Sequence, residues 1–286
     1  MQFDFVVVGA GSAGCAIASR LSENGRFTVA LLEAGGKDMN PWIHIPVGYF
    51  KTMGNKSTDW CYKTEPDSGL NGRSLSWPRG RVLGGSSSIN GLLYVRGQAQ
   101  DFDHWRQLGN TGWSWDDVLP YFKRAESWQG EPPIDSARGT DGPLKVSPTR
   151  LSREVVDKWV ESAVAAGYRR CADYNGSDQE GVGYFQLTSH QGRRWSSAVA
   201  YLNPARNRQN LKIITHAQAE RLIVEEGRIV AVRANIRGKS TDVYAKCEVV
   251  LSCGAIGSPQ ILMLSGIGCA SEISDLGINP ILDLPG

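Results

Sequence analysis

The spacing Gly9-x-Gly11-x-x-Gly14 follows an apolar run from Phe3 to Val8 and opens a segment, Ser12 to Glu23, with Ala13, Ala16, Ile17 and Leu21 on one side. The first run suits a strand buried on both faces, and the second a helix with a small, flat packing face. Phe27 to Leu32 is a second buried strand. Strand, helix and strand within about 30 residues make a βαβ unit and call for a parallel sheet. In that context Gly9 permits a tight turn, Gly11 lets backbone approach a pyrophosphate, and Gly14 lets the helix pack close to the strand. The first helical turn, at Ser12 and Ala13, then presents N–H groups to phosphates. Glu33 stands 19 positions after Gly14. At the end of the second strand its carboxylate can accept both ribose hydroxyls of an adenosine and repels a 2′-phosphate, which disfavours NADP. The plain alternative is a glycine turn with no ligand, and the motif alone does not separate NAD from FAD.

Glycine contributes 33 of 286 residues, well above its usual share of about 7%. No collagen period or linker tract absorbs the excess, so the glycines belong at special backbone positions. Two further glycine segments stand out: Gly80-Arg81-Val82-Leu83-Gly84-Gly85-Ser86-Ser87-Ser88-Ile89-Asn90-Gly91, and the run from Gly254 to Gly268. Lys+Arg number 31 and Asp+Glu 29, a net +2 that gives no pointer to nucleic acid or an acidic surface. The six cysteines contain no C-x-x-C pair, so neither a zinc site nor a disulfide framework is expected, and no metal. No stretch reaches about 18 uninterrupted apolar residues, and Asp4 precedes the opening run where a signal peptide would carry a base. A reducing, cytoplasmic setting is the expectation.

Between Pro41 and Pro78 the periodic pattern breaks. Trp42, Tyr49, Trp60, Tyr62 and Trp77 fall in a stretch (about 38–78) that reads as an extended arm or lid. Ser114 caps a helix running to about Glu126, with acids in its first turn. Ser152 is expected to cap another, ending near Gly167. Glu131 to Pro148, rich in Pro, Gly and Asp, reads as a loop and a boundary. Leu211 to Thr215, Ala219 to Glu225, Arg228 to Ile236 and Glu248 to Ser252 read as strands, with Glu226-Gly227 as a tight hairpin, and Gly257 to Leu264 as a short helix.

With three glycine segments in this order and spacing, the sequence resembles the glucose–methanol–choline oxidoreductases, FAD-dependent enzymes, over essentially its whole length. Within that family it looks most like choline dehydrogenases and related alcohol dehydrogenases. The resemblance implies an α/β fold: a Rossmann-like FAD-binding domain with a parallel sheet (1–150 and 209–286), interrupted by part of a substrate-binding domain (151–208). It implies that Gly9, Gly11, Ser12, Ala13, Gly14, Glu33 and Ala34 hold the ADP part of FAD. Val82, Gly84, Gly85 and Ser86, with Asn90, Gly91, Leu92 and Leu93, would lie along the flavin ring and ribityl chain. Ala219 would meet the adenine through its backbone, and Gly254 would let the chain pass close to the cofactor. Some members attach the flavin through a histidine just before the asparagine; here that position is Ile89, so non-covalent FAD is expected. Without a cofactor, the second and third segments are helix entries and packing sites.

The implied reaction is oxidation of a primary alcohol, choline-like or aliphatic, by proton removal and hydride transfer to flavin N5, with oxygen or a quinone as acceptor. The resemblance puts the base histidine and its partner beyond Gly286, in a C-terminal half this chain lacks, and so assigns no catalytic residue here. A peripheral place on the inner membrane goes with the same likeness. Among the four histidines, His44 reads as an arm packing residue, His104 as a helix face, His190 as part of a polar loop and His216 as the start of a strand. Ser86, Ser87 and Ser88 lie in no G-x-S-x-G context, so nucleophilic catalysis is not indicated. Two rival readings remain: a flavin-binding fragment without catalysis, and an NAD-dependent dehydrogenase, for which the second and third segments would have no use.

Overall fold

The computed structural model describes residues 1–131 and 137–285, which form two compact units. The first comprises Met1–Ile43, Val47–Asn90 and the chain from Ser197 onward; the second comprises His44–Pro46 and Gly91–Ser196.

The first unit contains β1 (Gln2–Val8), α1 (Ser12–Leu21), β2 (Val29–Glu33), β3 (Leu211–Thr215), β4 (Ala217–Glu225), β5 (Arg228–Ile236), β6 (Lys239–Leu251) and α2 (Gly254–Leu264). Its sheet has the order β3-β2-β1-β6-β5-β4. β3, β2, β1 and β6 run parallel, and β6, β5 and β4 form an antiparallel meander. This is the expected α/β class, with a mixed sheet.

Val7 and Leu31 join Cys15, Ala18, Ala198 and Leu202 on one side of the sheet, while Val6, Val8, Ala30 and Leu32 join Ala217, Val232 and Ile261 on the other. A strand covered on both sides has no polar face, which is why it reads as a continuous apolar run. Full burial of each Val or Leu contributes about 1.5–3 kcal/mol, so these two strands anchor the unit. Gly14, Cys15 and Ala18 are buried on α1. A Cβ on Gly14 would lie 1.8 Å from the Gly9 carbonyl oxygen. Helix and turn therefore approach at a distance only glycine allows.

The hairpin between β4 and β5 turns at Glu226 and Gly227, with φ +48° and +75°. Two strands differ from expectation. β6 begins at Lys239, well before Glu248, because its first half pairs antiparallel with β5 while its second half pairs parallel with β1. His216 precedes β4 in left-handed backbone, φ +55°, so it is not a strand residue.

The second unit contains helices Ala99–Gln107, Trp115–Ala125 and Glu154–Ala165 and a small sheet of Glu126–Trp128, Leu144–Pro148 and Gln186–Leu187. Ser114 and Asp117 form a reciprocal capping box, the Ser114 N–H donating to Asp117 Oδ2 at 3.0 Å. Ser152 does not cap the later helix; Arg153 precedes its first residue and no side chain bonds the helix end. The expected loop over 131–148 holds a strand, because Leu144–Val146 pair with Glu126–Trp128; its positions 132–136 lie outside the described residues.

At the centre of this unit the buried Arg96 and Arg138 both donate to Glu126. Arg138 Nη1 also donates to Asp173 Oδ1 at 2.6 Å and Gln186 Oε1 at 2.9 Å. The resemblance implies domain boundaries near 150 and 209; the compact units divide at 90/91 and 196/197, with His44–Pro46 also in the second. The reason is pairing: the Tyr94 N–H bonds the Gln186 carbonyl at 2.9 Å, and Ala198, Leu202 and Ala205 pack in the first unit's core. Among the described residues no helix is long and apolar enough to cross a membrane.

Candidate functional site

A cavity of about 810 Å³ opens in the first unit at the carboxyl ends of β1, β2 and β6, where open parallel sheets bind their ligands. Gly9, Gly11, Ser12 and Ala13 line it from the first loop, Glu33 and Ala34 from the end of β2, Gly85 and Ser86 from the second glycine segment, Ala219 from β4, and Gly254 from the start of α2. Residues more than two hundred positions apart in sequence thus form one wall, as their motifs require.

The first loop is drawn up against β2. The Gly9 N–H donates to the Leu32 carbonyl at 2.8 Å. Glu33 Oε2 accepts from the Ala10 N–H at 3.0 Å, and Oε1 from the Gly35 N–H at 2.8 Å. Each oxygen keeps a further lone pair for a ligand hydroxyl. Burial pushes the Glu33 carboxyl up to about 7, against the two N–H bonds and the positive charge of Arg81. The first turn of α1 carries N–H groups with no acceptor inside the helix, together with the positive end of its dipole.

The second segment folds over the first. The Gly84 N–H donates to the Ala10 carbonyl at 2.8 Å. Gly85 has φ +53°, and a Cβ there would lie 2.7 Å from Gly11 Cα. The two loops can meet only because both lack side chains at the crossing. The serine hydroxyls are committed to backbone: Ser86 Oγ accepts from the Gly80 N–H, Ser87 Oγ donates to the Gly84 carbonyl, and Ser88 Oγ donates to the Leu83 carbonyl. None is set up as a nucleophile. In the third segment Ser252 Oγ bonds the Val8 and Gly9 carbonyls, tying β6 to the first loop. Burial, with the nearby Glu33 charge, pushes the Cys253 thiol up to about 12.

Some expected residues support the wall without lining it. Gly14 sits beneath the loop, and Val82 is buried beside Gly36 in a parallel bridge. Asn90 donates its N–H to the Ser86 carbonyl at 2.9 Å and is the last residue of the first unit's second segment. Gly91, Leu92 and Leu93 belong to the second unit, where the Leu92 carbonyl accepts from the Thr188 N–H at 2.9 Å and Oγ1 at 3.1 Å. Ile89 is buried. Among the described residues no histidine lines the cavity. Sequence reasoning missed Trp60, Tyr62, Arg79 and Gln218, which do line it. The alternation Trp60-x-Tyr62 in the arm was the available signal.

Two glycine loops without Cβ atoms at their crossing, a helix N-terminus and a carboxylate acceptor in one cavity of about 810 Å³ fit a dinucleotide: a cradle that side chains would fill. Fold and site together define an α/β dinucleotide-binding domain. Residues 3–282 match the profile of the GMC oxidoreductases, and the chain belongs to that family. Over all 286 residues it is 46% identical to the oxygen-dependent choline dehydrogenase of Rhizobium johnstonii, and likewise to that of Brucella suis, covering 52% of each. The chain therefore spans about half the length of these curated relatives. Among solved structures it is similar to pyridoxine 4-oxidase from Mesorbium loti (35% identity, TM-score 0.93, 99% of this chain and 55% of that one). It is also similar to formate oxidase from Aspergillus oryzae (31% identity, TM-score 0.89, 99% and 50%).

Proposed function

We propose that the chain holds FAD non-covalently in this cavity and belongs to an enzyme that oxidises a small primary alcohol, choline-like or aliphatic, to the aldehyde, with oxygen as acceptor. The convergence of three glycine segments on one cavity carries the reading. Its supports are the names of the choline dehydrogenases and of an FAD-dependent oxidoreductase from Chaetomium thermophilum, similar at 29% identity and TM-score 0.92. When bound, FAD supplies the acceptor for the hydride leaving the alcohol carbon.

The chain's own residues bind and orient. Glu33 accepts the ribose hydroxyls, the first turn of α1 faces the diphosphate, and Ala34 and Ala219 flank the adenosine. Val82, Gly84, Gly85, Ser86 and Asn90 belong to the segment assigned to the ribityl chain and ring, and the family resemblance would add Gly91, Leu92 and Leu93 to it. Gly254 leaves room where a Cβ would meet no atom within 4 Å. Buried Ile89 offers no nucleophile for a covalent flavin link.

FAD titration tests this. Glu33→Ala raises the dissociation constant by an amount worth about 1.5–3 kcal/mol, the scale of charge-assisted hydrogen bonds. An unchanged constant removes Glu33 from the site. Affinity in the native chain rises as pH passes upward through about 7, because the ionised carboxylate is the better acceptor. Glu33→Gln abolishes that slope. The second reading is a flavin-binding fragment without catalysis. It predicts bound FAD that choline or a short aliphatic alcohol does not bleach under anaerobic conditions.

A further inference from the structure

The second unit carries a pocket that the cofactor reading leaves unused. It opens between helices Ala99–Gln107 and Trp115–Ala125, has a volume of about 330 Å³ and is lined by Phe102, Gly112, Trp113, Val118, Tyr121 and Phe122. Helical spacing builds it: Val118, Tyr121 and Phe122 stand three and four positions apart and share one face. Phe102 meets them from the other helix, its ring centroid 5.6 Å from that of Phe122. The turn between the helices supplies the last wall. The Trp113 N–H donates to the Asn110 carbonyl at 3.2 Å, and the Trp113 ring lies 5.8 Å from that of Trp105. Gly112, at φ +85°, leaves the mouth open, since a Cβ there would meet no atom within 4 Å. The Trp115 N–H donates to Asp103 Oδ1 at 3.0 Å and ties the two helices together.

Trp113 is 51% and Tyr121 69% exposed, so the aromatic lining is open to solvent rather than closed over itself. The rings are inclined: Phe102 and Phe122 meet at 68°, and Trp105 and Trp113 at 61°. Inclined rings form a corner and leave faces free, and a ring face attracts a cation. Phe122 already carries one, the Arg96 guanidinium at 5.2 Å from its centroid, whose charge Glu126 balances. The surrounding charge has the matching sign. Asp101, Asp103, Asp116 and Asp117 stand against one base, Arg106, between positions 101 and 117. Lys123 and Arg124 in the last turn of the second helix bring the bases to three, and the balance stays negative. Asp117 precedes Tyr121 by one helical turn; hydrogen bonds from Ser114, with the charge of Arg106, hold its carboxyl below the ordinary carboxylate range.

We propose that this pocket is a second binding site, sharing no residue with the cofactor cavity, for a small organic cation of the alkylammonium class. Such a cation wears its charge under carbon, so it gains from the ring faces and from the acids together. A neutral apolar molecule gains from burial alone. The site lies wholly in the second unit and stands without the FAD reading.

Tetramethylammonium is the probe, because it has no hydroxyl to oxidise, and tert-butanol is its neutral counterpart of similar shape. Each is titrated into the native chain at fixed ionic strength, with saturation transfer from the protein's aromatic protons to the ligand methyl signal as the readout. Transfer to tetramethylammonium saturates, and tert-butanol binds at least about fivefold more weakly, the scale of a partly exposed cation–π contact. Trp113→Leu and Tyr121→Leu each raise the tetramethylammonium dissociation constant about fivefold for the same reason. Tyr121→Phe, which keeps the ring, binds like the native chain, so the test stands even if a leucine variant folds poorly. Asp116→Asn weakens tetramethylammonium binding and leaves tert-butanol unchanged. Equal dissociation constants for the two probes show a merely apolar pocket and overturn the proposal. Tetramethylammonium binding that is unchanged in both leucine variants, or absent from the native chain, overturns it as well.

Discussion

The two units solve the problem of buried polar groups in opposite ways. Around the cavity, the first unit uses backbone: Gly9, Gly11, Gly14 and Gly85 bring main chains together, and Glu33 is held by two N–H groups. The second unit buries charged side chains, with Arg96 and Arg138 sharing Glu126 and Arg138 reaching on to Asp173. The first arrangement leaves space and donors for a ligand. The second turns its donors inward: Arg96 Nη1 reaches the Ala137 carbonyl at 2.6 Å and Arg96 Nε the Tyr94 hydroxyl at 3.2 Å. A binding site and a structural clasp are thus distinguished by whether their polar groups are already satisfied.

The largest effect is expected in the clasp. Glu126→Ala strands two buried guanidinium groups and should cost about 3–5 kcal/mol, read as a lower denaturant midpoint. A loss below about 1 kcal/mol would mean that water or Asp173 compensates, and the contrast with the cavity would weaken. Next, Gly14→Val drives a side chain into the Gly9 carbonyl. Overpacking of that kind costs about 1–3 kcal/mol or more, and here it also displaces the loop, so the purified variant should carry no flavin. Retained flavin at normal occupancy would show that the helix can move away without harming the site.

A third test uses pH. Burial raises the folded Glu33 carboxyl to about 7 from an ordinary value of 4.5. The ligand-free folded chain therefore binds more protons than the unfolded chain between those values. Its contribution to stability is complete below about 4.5 and is lost as pH rises toward 7. The melting temperature of Glu33→Gln should fall less over that window than that of the native chain; parallel curves would place the carboxylate in water. The smallest effect belongs to the helix cap: Ser114→Ala removes one side of the capping box and should cost about 1 kcal/mol, leaving flavin content unchanged.

How much could be read in advance follows the same division. The glycine loops, the doubly buried β1 and β2 and the Glu226-Gly227 turn obey local rules of spacing and conformation, so the α/β class and the cavity's first wall were legible. The clasp was not, because Arg96, Glu126, Arg138 and Asp173 meet across long separations with no local pattern. The same holds for the strand at Leu144–Pro148, whose Pro- and Gly-rich surroundings read as loop although Glu126–Trp128 supplies a partner. The unit boundary at 90/91 has no local signal, because the pairing of Tyr94 with Gln186 leaves no mark in composition. At the site, Trp60 and Tyr62 were visible as aromatic residues, but their place on the cavity depends on Asp59 and the left-handed Cys61.

The most direct measurement is the visible absorbance spectrum of the natively purified chain, followed by acid precipitation and identification of the released chromophore. The account predicts a flavin spectrum, with FAD recovered entirely in the supernatant. Yellow colour staying with the pellet would contradict the non-covalent site at Ile89, and a chain that stays colourless after incubation with FAD would contradict the cofactor cavity itself.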